Sequence, residues 1–395
     1  MNSIVKYIVD TGILIIILLV LYLLNPFNMG FLFGYLLIPV VFLKSNFIKE
    51  NLDLDFVLLF LFSIFYALFY SFSADPAEGK QFILIYSLSP PTFYLIGKYL
   101  VRTKPPTNTI FYILFFITAI FSISAVISVF LNFQEGGFAQ LDRSIPMFWD
   151  GSPVSATIMG GFLTFNMCIP ALLISTQGKK GIVFNVGTLI LFILSLICVL
   201  RLGSRTQLGI FLITTVFAIL YMLPRQSIKK NVWLFGLLAV VIVFLIRNVS
   251  FDLNADWLTT FAGRLSRGTG ELASGGGRTE RWIKSLEYMV SYPLGWEQKE
   301  FGYSHNLWLD VLRVSGIIPF IILIVYSIRS FIQIKRTVLI NKESTYLNTQ
   351  IIIYAIAMFL LFMMEPIFEG LFSLFVVFCI YKGIINKHYS SISQC

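Results

Sequence analysis

His305, Asn306, Asp310 and Arg313 bring a base, an amide, a carboxylate and a guanidinium within nine positions. Asn306, Asp310 and Arg313 stand at i, i+4 and i+7, so a helix places them on one stripe. Imidazole titrates near neutrality and is a common proton acceptor for a hydroxyl. The only other histidine, His388, lies near the C-terminal end of the sequence. For a lone histidine a plainer reading is the more frequent one. His305 also fits an ordinary helix-end residue, and Asp310–Arg313 fits a structural pair.

Arginine is the second chemical signal. Arg201 and Arg205 flank Leu202-Gly203-Ser204, a turn that contains no acid. Arg264, Arg267, Arg278 and Arg281 fall in one polar stretch. The guanidinium is a planar fork that binds phosphate or carboxylate bidentately, so this set points to a specific anion. The alternatives are pairing with Asp252, Asp256, Glu271, Glu280 and Glu287, or snorkelling to lipid phosphates. Gly275-Gly276-Gly277 runs directly into Arg278. It lacks the GK[ST] ending of a P-loop, and a flexible linker is its other reading.

Several chemistries find no residues. No carboxylate pair stands out as a glycosidase acid and nucleophile. No Asp-rich run or Cys/His spacing marks a metal site, and no cofactor is expected. Cys168, Cys198 and Cys379 sit in apolar runs and Cys395 ends the sequence, so no disulfide is indicated.

The elements that must position these residues are read from composition. The chain has 395 residues, 57% hydrophobic and 12% charged, with a mean hydropathy of +0.84. Soluble domains are about 25% charged, so an ordinary water-soluble enzyme is excluded. Apolar runs near the ~20 residues needed to cross a bilayer recur throughout. Period-2 alternation is absent, so the spanning state is helix. The expected fold is an all-α integral membrane protein, a single polytopic domain over residues 1–395.

Twelve spans are expected, over roughly 5–24, 30–43, 54–72, 81–101, 109–131, 154–174, 182–200, 205–223, 231–249, 304–328, 347–365 and 367–385. Asn25-Pro26 follows the first run in place of a small-residue cleavage site, so an uncleaved first span is expected. Pro366 separates the last two spans and marks a tight helical hairpin. With both termini cytoplasmic, short inner loops collect the lysines, as the positive-inside rule requires. That rule accounts for the net charge of +9 without a nucleic-acid partner. It does not explain why the cations on the other face are mostly arginine. Those are Arg143, Arg201, Arg205, Arg247, Arg264, Arg267, Arg278, Arg281 and Arg313.

The longest outer segment, 250–303, joins the ninth and tenth spans. Leu253, Trp257, Phe261 and Leu265 recur every fourth residue, and Trp282, Ile283, Leu286, Met289 and Val290 follow helical spacing before Pro293. Two amphipathic helices at the membrane–water interface are expected there.

At this point the sequence resembles a known family. Gly203-Ser204-Arg205 in a short outer turn, Gly277-Arg278 before Trp282, Pro293-Leu294-Gly295, and His305-Asn306 with Gly316 ten residues on resemble the O-antigen ligase and polymerase superfamily. The resemblance implies a GT-C-like fold with a helical extracytoplasmic loop between helices nine and ten. It implies a metal-independent, inverting glycosyltransferase in the bacterial inner membrane. The donor would be a glycan on undecaprenyl diphosphate, and the acceptor a second lipid-linked glycan or lipid A core. Membrane lipids and polysaccharide assembly proteins would be its partners. By this resemblance Arg205 and Arg278 hold the diphosphate and His305 is the base. Pro319 stands where ligases of the family carry Gly, Thr or Tyr, which favours the polymerase.

A precursor transporter or flippase is the competing class. It would carry charges in mid-span and broken helices in repeated halves. The polar groups expected here gather instead on one face.

Overall fold

The computed structural model describes residues 12–72, 81–138, 140, 142–176, 180–248, 255–260, 277–342 and 344–393. In chain order the helices begin with α1 (Ile13–Leu24), α2 (Gly30–Phe42), α3 (Ser45–Asn51), α4 (Leu54–Phe72), α5 (Gln81–Leu100) and α6 (Thr107–Gly136). A small antiparallel hairpin follows, β1 (Ser144–Pro146) with β2 (Pro153–Ser155), in the register Ser144↔Ser155. Next come α7 (Ala156–Leu163), α8 (Ile169–Ser175), α9 (Ile182–Leu202), α10 (Arg205–Met222) and α11 (Ile228–Asn248). The chain ends with α12 (Arg278–Ser291), α13 (Leu307–Ser315), α14 (Ile317–Ile340), α15 (Thr345–Met364), α16 (Ile367–Gly370) and α17 (Phe372–Ile392).

This is a multi-pass helical membrane protein. Among the described residues seven helices are long and apolar enough to cross a bilayer, or up to nine if each of two bent pairs is one span. One bent pair is α2 with α3, turned by 88°. The other lies at 156–175, where a single span was expected, and is bent by 45°. Pro170 explains that bend, because it donates no N–H and its ring crowds the carbonyl four residues back. α5 and α17 are 20 and 21 residues long. They carry buried polar groups, Lys98 on α5 and Lys382, Asn386 and His388 on α17.

Two expected elements are placed differently. The span expected over 304–328 starts only at Ile317, because Gly316 adopts φ +73° and ends α13. The helix at the place of the last expected span, α17, starts at Phe372, after the short turn α16. The first amphipathic helix of the 250–303 loop lies mostly outside the described residues. The second is observed as α12.

The chain divides into two compact units. The first contains Met1–Phe121, Ala273–Lys342 and Phe362–Cys395. Its helices α4, α5, α14 and α17 meet around two carboxylates. Asp55, 1% exposed, accepts from Lys382 Nζ at 2.7 Å, Asn386 Nδ2 at 2.7 Å and Arg329 Nε at 2.8 Å. Asp53 accepts from Lys98 Nζ at 2.6 Å and from the Tyr94 hydroxyl at 2.8 Å. A buried charge is costly unless paired and hydrogen-bonded, so this network fixes how the four helices register. α5 and α17 also cross closely at Gly97 and Gly383, where an added Cβ would lie 2.1 Å from a carbonyl oxygen of the facing helix.

The second unit contains Ser122–Leu272 and Glu343–Leu361. Its core gathers Val129, Ile145, Met159, Leu163, Met167, Val199 and Leu202. Asn166 Nδ2 bridges the hydroxyls of Ser122 and Ser195 at 2.8 and 2.9 Å.

Removing one side of the buried network should cost more than removing both. Asp55→Asn should destabilise by about 3–5 kcal/mol, as for other buried pairs left with one charge. Asp55→Leu combined with Lys382→Met should recover much of that loss. Thermal unfolding in detergent reads both, and a double variant no better than the single one would show that the pairing is not what ties the helices.

Candidate functional site

The site of the first unit is built on α12. Gly277, at φ +76°, starts the helix and places Arg278 in its first turn. The amphipathic sequence then divides the helix between two surroundings. Trp282, Tyr288 and Met289 pack against Trp296, Leu309 and Leu312 of the following segment and α13. Ile283, Leu286 and Val290 remain exposed, as they would be against lipid.

This packed face holds the chain at 303–304. Arg281 Nη1 donates to the Tyr303 carbonyl at 3.1 Å and Trp282 Nε1 to the Ser304 carbonyl at 2.8 Å. The hydroxyls of Ser285 and Ser304 are 2.8 Å apart. From the other side, the Asp310 carboxylate accepts the Ser304 N–H at 2.7 Å and the Asn306 N–H at 3.1 Å. One side chain thus clamps the amides before and after His305. Between them His305 adopts φ +53°, a left-handed conformation uncommon for a residue other than glycine. Asn306 caps α13 by accepting from Trp308 N at 3.2 Å and Leu309 N at 3.3 Å.

The His305 imidazole faces Glu365. Its Nδ1 lies 4.0 Å from Glu365 Oε2, beyond hydrogen-bond distance, and has no hydrogen-bond partner among the described residues. Arg278 Nη2 approaches the other oxygen of Glu365 at 3.8 Å. Burial, aided by the Arg278 and Arg281 charges, lowers the His305 pKa from its usual range to about 4. The imidazole is therefore neutral at pH 7 and free to accept a proton. Burial and then the Glu369 charge push the Asp310 carboxyl up to about 7, against its two amide donors.

Arg313 completes the cluster differently from Arg278. It forms a close ion pair with Glu369, and its guanidinium lies 5.5 Å from the Tyr303 ring centroid. Two sequence motifs meet beside it. Trp296 N donates to the Arg313 carbonyl at 2.9 Å, and Ile317 N to the Pro293 carbonyl at 2.9 Å. Pro293-Leu294-Gly295 therefore lies directly against the end of α13 and Gly316. A Cβ at Gly295 would sit 2.4 Å from the Arg313 carbonyl oxygen, and one at Gly316 2.5 Å from that of Pro293. Both glycines also have positive φ, so close approach and conformation each demand glycine.

Of the residues singled out by sequence, Arg278, Arg281, His305, Asn306, Asp310 and Arg313 come together in the first unit. Arg201 and Arg205 belong to the second. Arg201 is fully buried and donates to Gln140 Oε1 at 2.6 Å and to the Asp142 carbonyl at 3.1 Å. In this structure it ties the segment before β1 to the end of α9. Arg205 is exposed at the first position of α10. Arg264 and Arg267 lie outside the described residues. Sequence reasoning missed Glu365 and Glu369. Their signal was present, since they are the two acids in the apolar stretch 345–385, where an ionisable residue is unusual. Among the described residues no three His, Cys, Asp or Glu side chains group as metal ligands.

The chain matches no family model and no curated protein.

A lowered histidine pKa means the neutral form is lost only as pH falls through that value. In a His388→Gln background, modification of His305 by diethylpyrocarbonate should hold its rate from pH 7 to about 5 and fall with a midpoint near 4. A midpoint near 6.5 would show that burial and the two arginines do not hold the ring neutral.

Proposed function

We propose that this chain is a membrane glycosyltransferase of the O-antigen polymerase and ligase kind, with the polymerase favoured. In this reading it crosses the bacterial inner membrane twelve times with both termini cytoplasmic. The segment 250–303 and the His305 cluster then lie at the outer leaflet. Its donor is a glycan on undecaprenyl diphosphate, and its acceptor is a hydroxyl of another lipid-linked glycan or of lipid A core.

One observation carries the proposal: His305, its backbone clamped by Asp310, faces Glu365 together with the Arg278 guanidinium. The acceptor hydroxyl attacks the anomeric carbon and the carbon–oxygen bond to diphosphate breaks. The hydroxyl proton passes to His305, and the leaving diphosphate carries away the bonding pair. A single displacement inverts the anomeric centre. Arg278 stabilises the growing charge on the diphosphate, aided by the positive end of the α12 dipole. Glu365 faces both His305 and Arg278 and favours the imidazolium as it forms. Arg281 acts through the backbone it holds. Arg205 is assigned to the diphosphate by the resemblance alone.

The transporter reading draws on two observations, the buried Asp55–Lys382 pair and the two bent helix pairs. Intramembrane charges often mark an ion path. Here Asp55 has three donors, which fits a structural tie better than a group that must exchange its ion.

The purified chain, given an undecaprenyl-diphosphate repeat unit in detergent with EDTA, should produce a ladder of longer lipid-linked chains. Transfer only after adding lipid A core would make it a ligase, and silence with both would remove the glycosyltransferase reading. His305→Ala should reduce transfer by about 10²–10⁴-fold, the usual worth of a general base. Arg205→Lys should also impair transfer, because charge is kept but the fork is lost. Undecaprenyl diphosphate should raise the pH midpoint of His305 modification, since its charge offsets that of Arg278; an unmoved midpoint would place the diphosphate elsewhere.

A further inference from the structure

At the Asp55 end of the first unit, away from His305, α3 and the ends of α5 and α17 enclose a cavity of about 540 Å³. Its lining holds three cations, Lys44, Arg102 and Lys387, and one acid, Glu50. We propose that this cavity binds the phosphodiester headgroup of an anionic membrane lipid. The proposal does not depend on the glycosyltransferase reading, since none of these residues belongs to the His305 cluster.

The walls are fixed by the protein itself. α2 packs along α1 and α5, and α3 then turns by 88° to lie across the end of that group. Phe47 of α3 meets Tyr99 edge-on, with ring centroids 5.1 Å apart. Lys98 Nζ donates to the Asn51 carbonyl at 2.7 Å, and Lys387 Nζ to Asn51 Oδ1 at 3.0 Å.

The positive charge on these walls is not neutralised within the protein. The neighbouring acids Asp53 and Asp55 are taken by Lys98, Lys382 and Arg329. Lys44 Nζ lies 5.2 Å from the Tyr99 ring centroid, and Arg102 Cζ lies 3.7 Å from the same centroid. Among the described residues neither Lys44 nor Lys387 forms an ion pair. A ring face and an amide oxygen orient a cation without cancelling its charge. Like charges gathered on one ring repel, and an anion beside them offsets that cost. A phosphodiester presents acceptor oxygens around one centre, which suits a guanidinium fork and ammonium point charges together. Ser45 and Asn46 also line the cavity and can both donate and accept, as the hydroxyls of a glycerol headgroup require. A zwitterionic headgroup would bring its own ammonium toward three cations, with Glu50 alone to receive it.

The apolar surroundings favour a lipid over a soluble anion. Leu43, on the cavity wall, is 84% exposed, and Leu52 and Leu54 beyond α3 are 50% and 53% exposed. Acyl chains below a headgroup in the cavity would cover such side chains, and free phosphate would leave them bare. In the topology proposed above this end faces the cytoplasm, where basic pockets between helices hold anionic headgroups.

The test uses the purified, delipidated full chain in detergent and counts bound lipid by native mass spectrometry. Phosphatidylglycerol, phosphatidylcholine and inorganic phosphate are the probes. Phosphatidylglycerol should bind saturably and phosphatidylcholine should not. Lys44→Gln and Lys387→Gln should each weaken binding about fivefold, the usual effect of one basic residue at a lipid surface. Lys49→Gln makes the same charge change on α3 outside the cavity lining and should leave binding unchanged. Leu43→Trp adds a reporter without removing charge. Phosphatidylglycerol brominated in its acyl chains should quench the added emission at a lower mole fraction than brominated phosphatidylcholine. The proposal is overturned if phosphatidylcholine binds as well, if neither cavity variant weakens binding, if Lys49→Gln weakens it as much as Lys44→Gln, or if the two brominated lipids quench alike. Displacement of the lipid by inorganic phosphate would make the cavity a site for a soluble anion and would also overturn it.

Discussion

A carboxylate buried in a chain this apolar must find donors, and Asp310 finds them in the two amides that flank His305. That pair of hydrogen bonds sets the conformation of the loop. Without them the left-handed backbone at His305 would have little to hold it, since such a conformation costs energy in any residue with a side chain. The rest of the site follows from the clamp. Asp310 can reach the loop only because Asn306 caps α13 and starts the helix at the right residue. α13 can end where it does only because Gly316 turns the chain under Pro293. α12 closes the loop from its other side through Arg281, Trp282 and Ser285.

The first unit segregates its buried charges to the two ends of α4. Asp53 and Asp55 anchor the charge network at the first turn, and Phe69, Tyr70 and Phe72 border a cavity shared with Arg313 and Glu369 at the last. Asp55 and Tyr70 are separated by about 22 Å along the axis at 1.5 Å per residue, comparable to most of a bilayer core. Between them the interior is aromatic. Phe62, Tyr66, Tyr86, Phe368 and Phe375 pack edge-on or tilted with ring centroids 4.6 to 6.0 Å apart. The Tyr86 hydroxyl donates to the Phe368 carbonyl at 3.0 Å, satisfying a group freed at the α16 turn. A protein working at one membrane face needs its other face only as an anchor, and the paired charges around Asp55 fit that division.

The helices were legible because lipid imposes one rule on every span. Leu54–Phe72, Ile182–Leu202 and α12 stand within two residues of where periodicity and hydropathy put them. Breaks were less legible. Gly316 was noted as part of a motif but not as a helix break, and only its contact with Pro293-Leu294-Gly295 reveals why helix could not continue. These two motifs were noted separately, and no one-dimensional signal joins them. Glu365 and Glu369 were passed over for a related reason. Pro366 drew attention as a hairpin breaker, while the acids beside it gain meaning only once Arg278, His305 and Arg313 are seen to face them. Arg201 went the other way. Its turn contained no acid, which pointed to a ligand, but its partners are the side chain and carbonyls of a segment sixty residues earlier. Backbone acceptors leave no mark in composition.

Arg278 connects the electrostatics of the resting site to those of the proposed reaction. Its charge adds to burial in holding the His305 pKa low, which keeps the imidazole neutral but makes it a weak base. A weak base is poorly matched to a sugar hydroxyl, since proton transfer is most effective when acceptor strength suits the operating pH. Diphosphate bound at Arg278 would offset the part of the depression that this charge causes, and imidazole basicity would rise, while burial would still hold it below the ordinary value. The base would then reach its strength only with the donor in place. Water entering an empty site would meet a ring unable to activate it, and Glu365 alone is too far from Nδ1 to compensate.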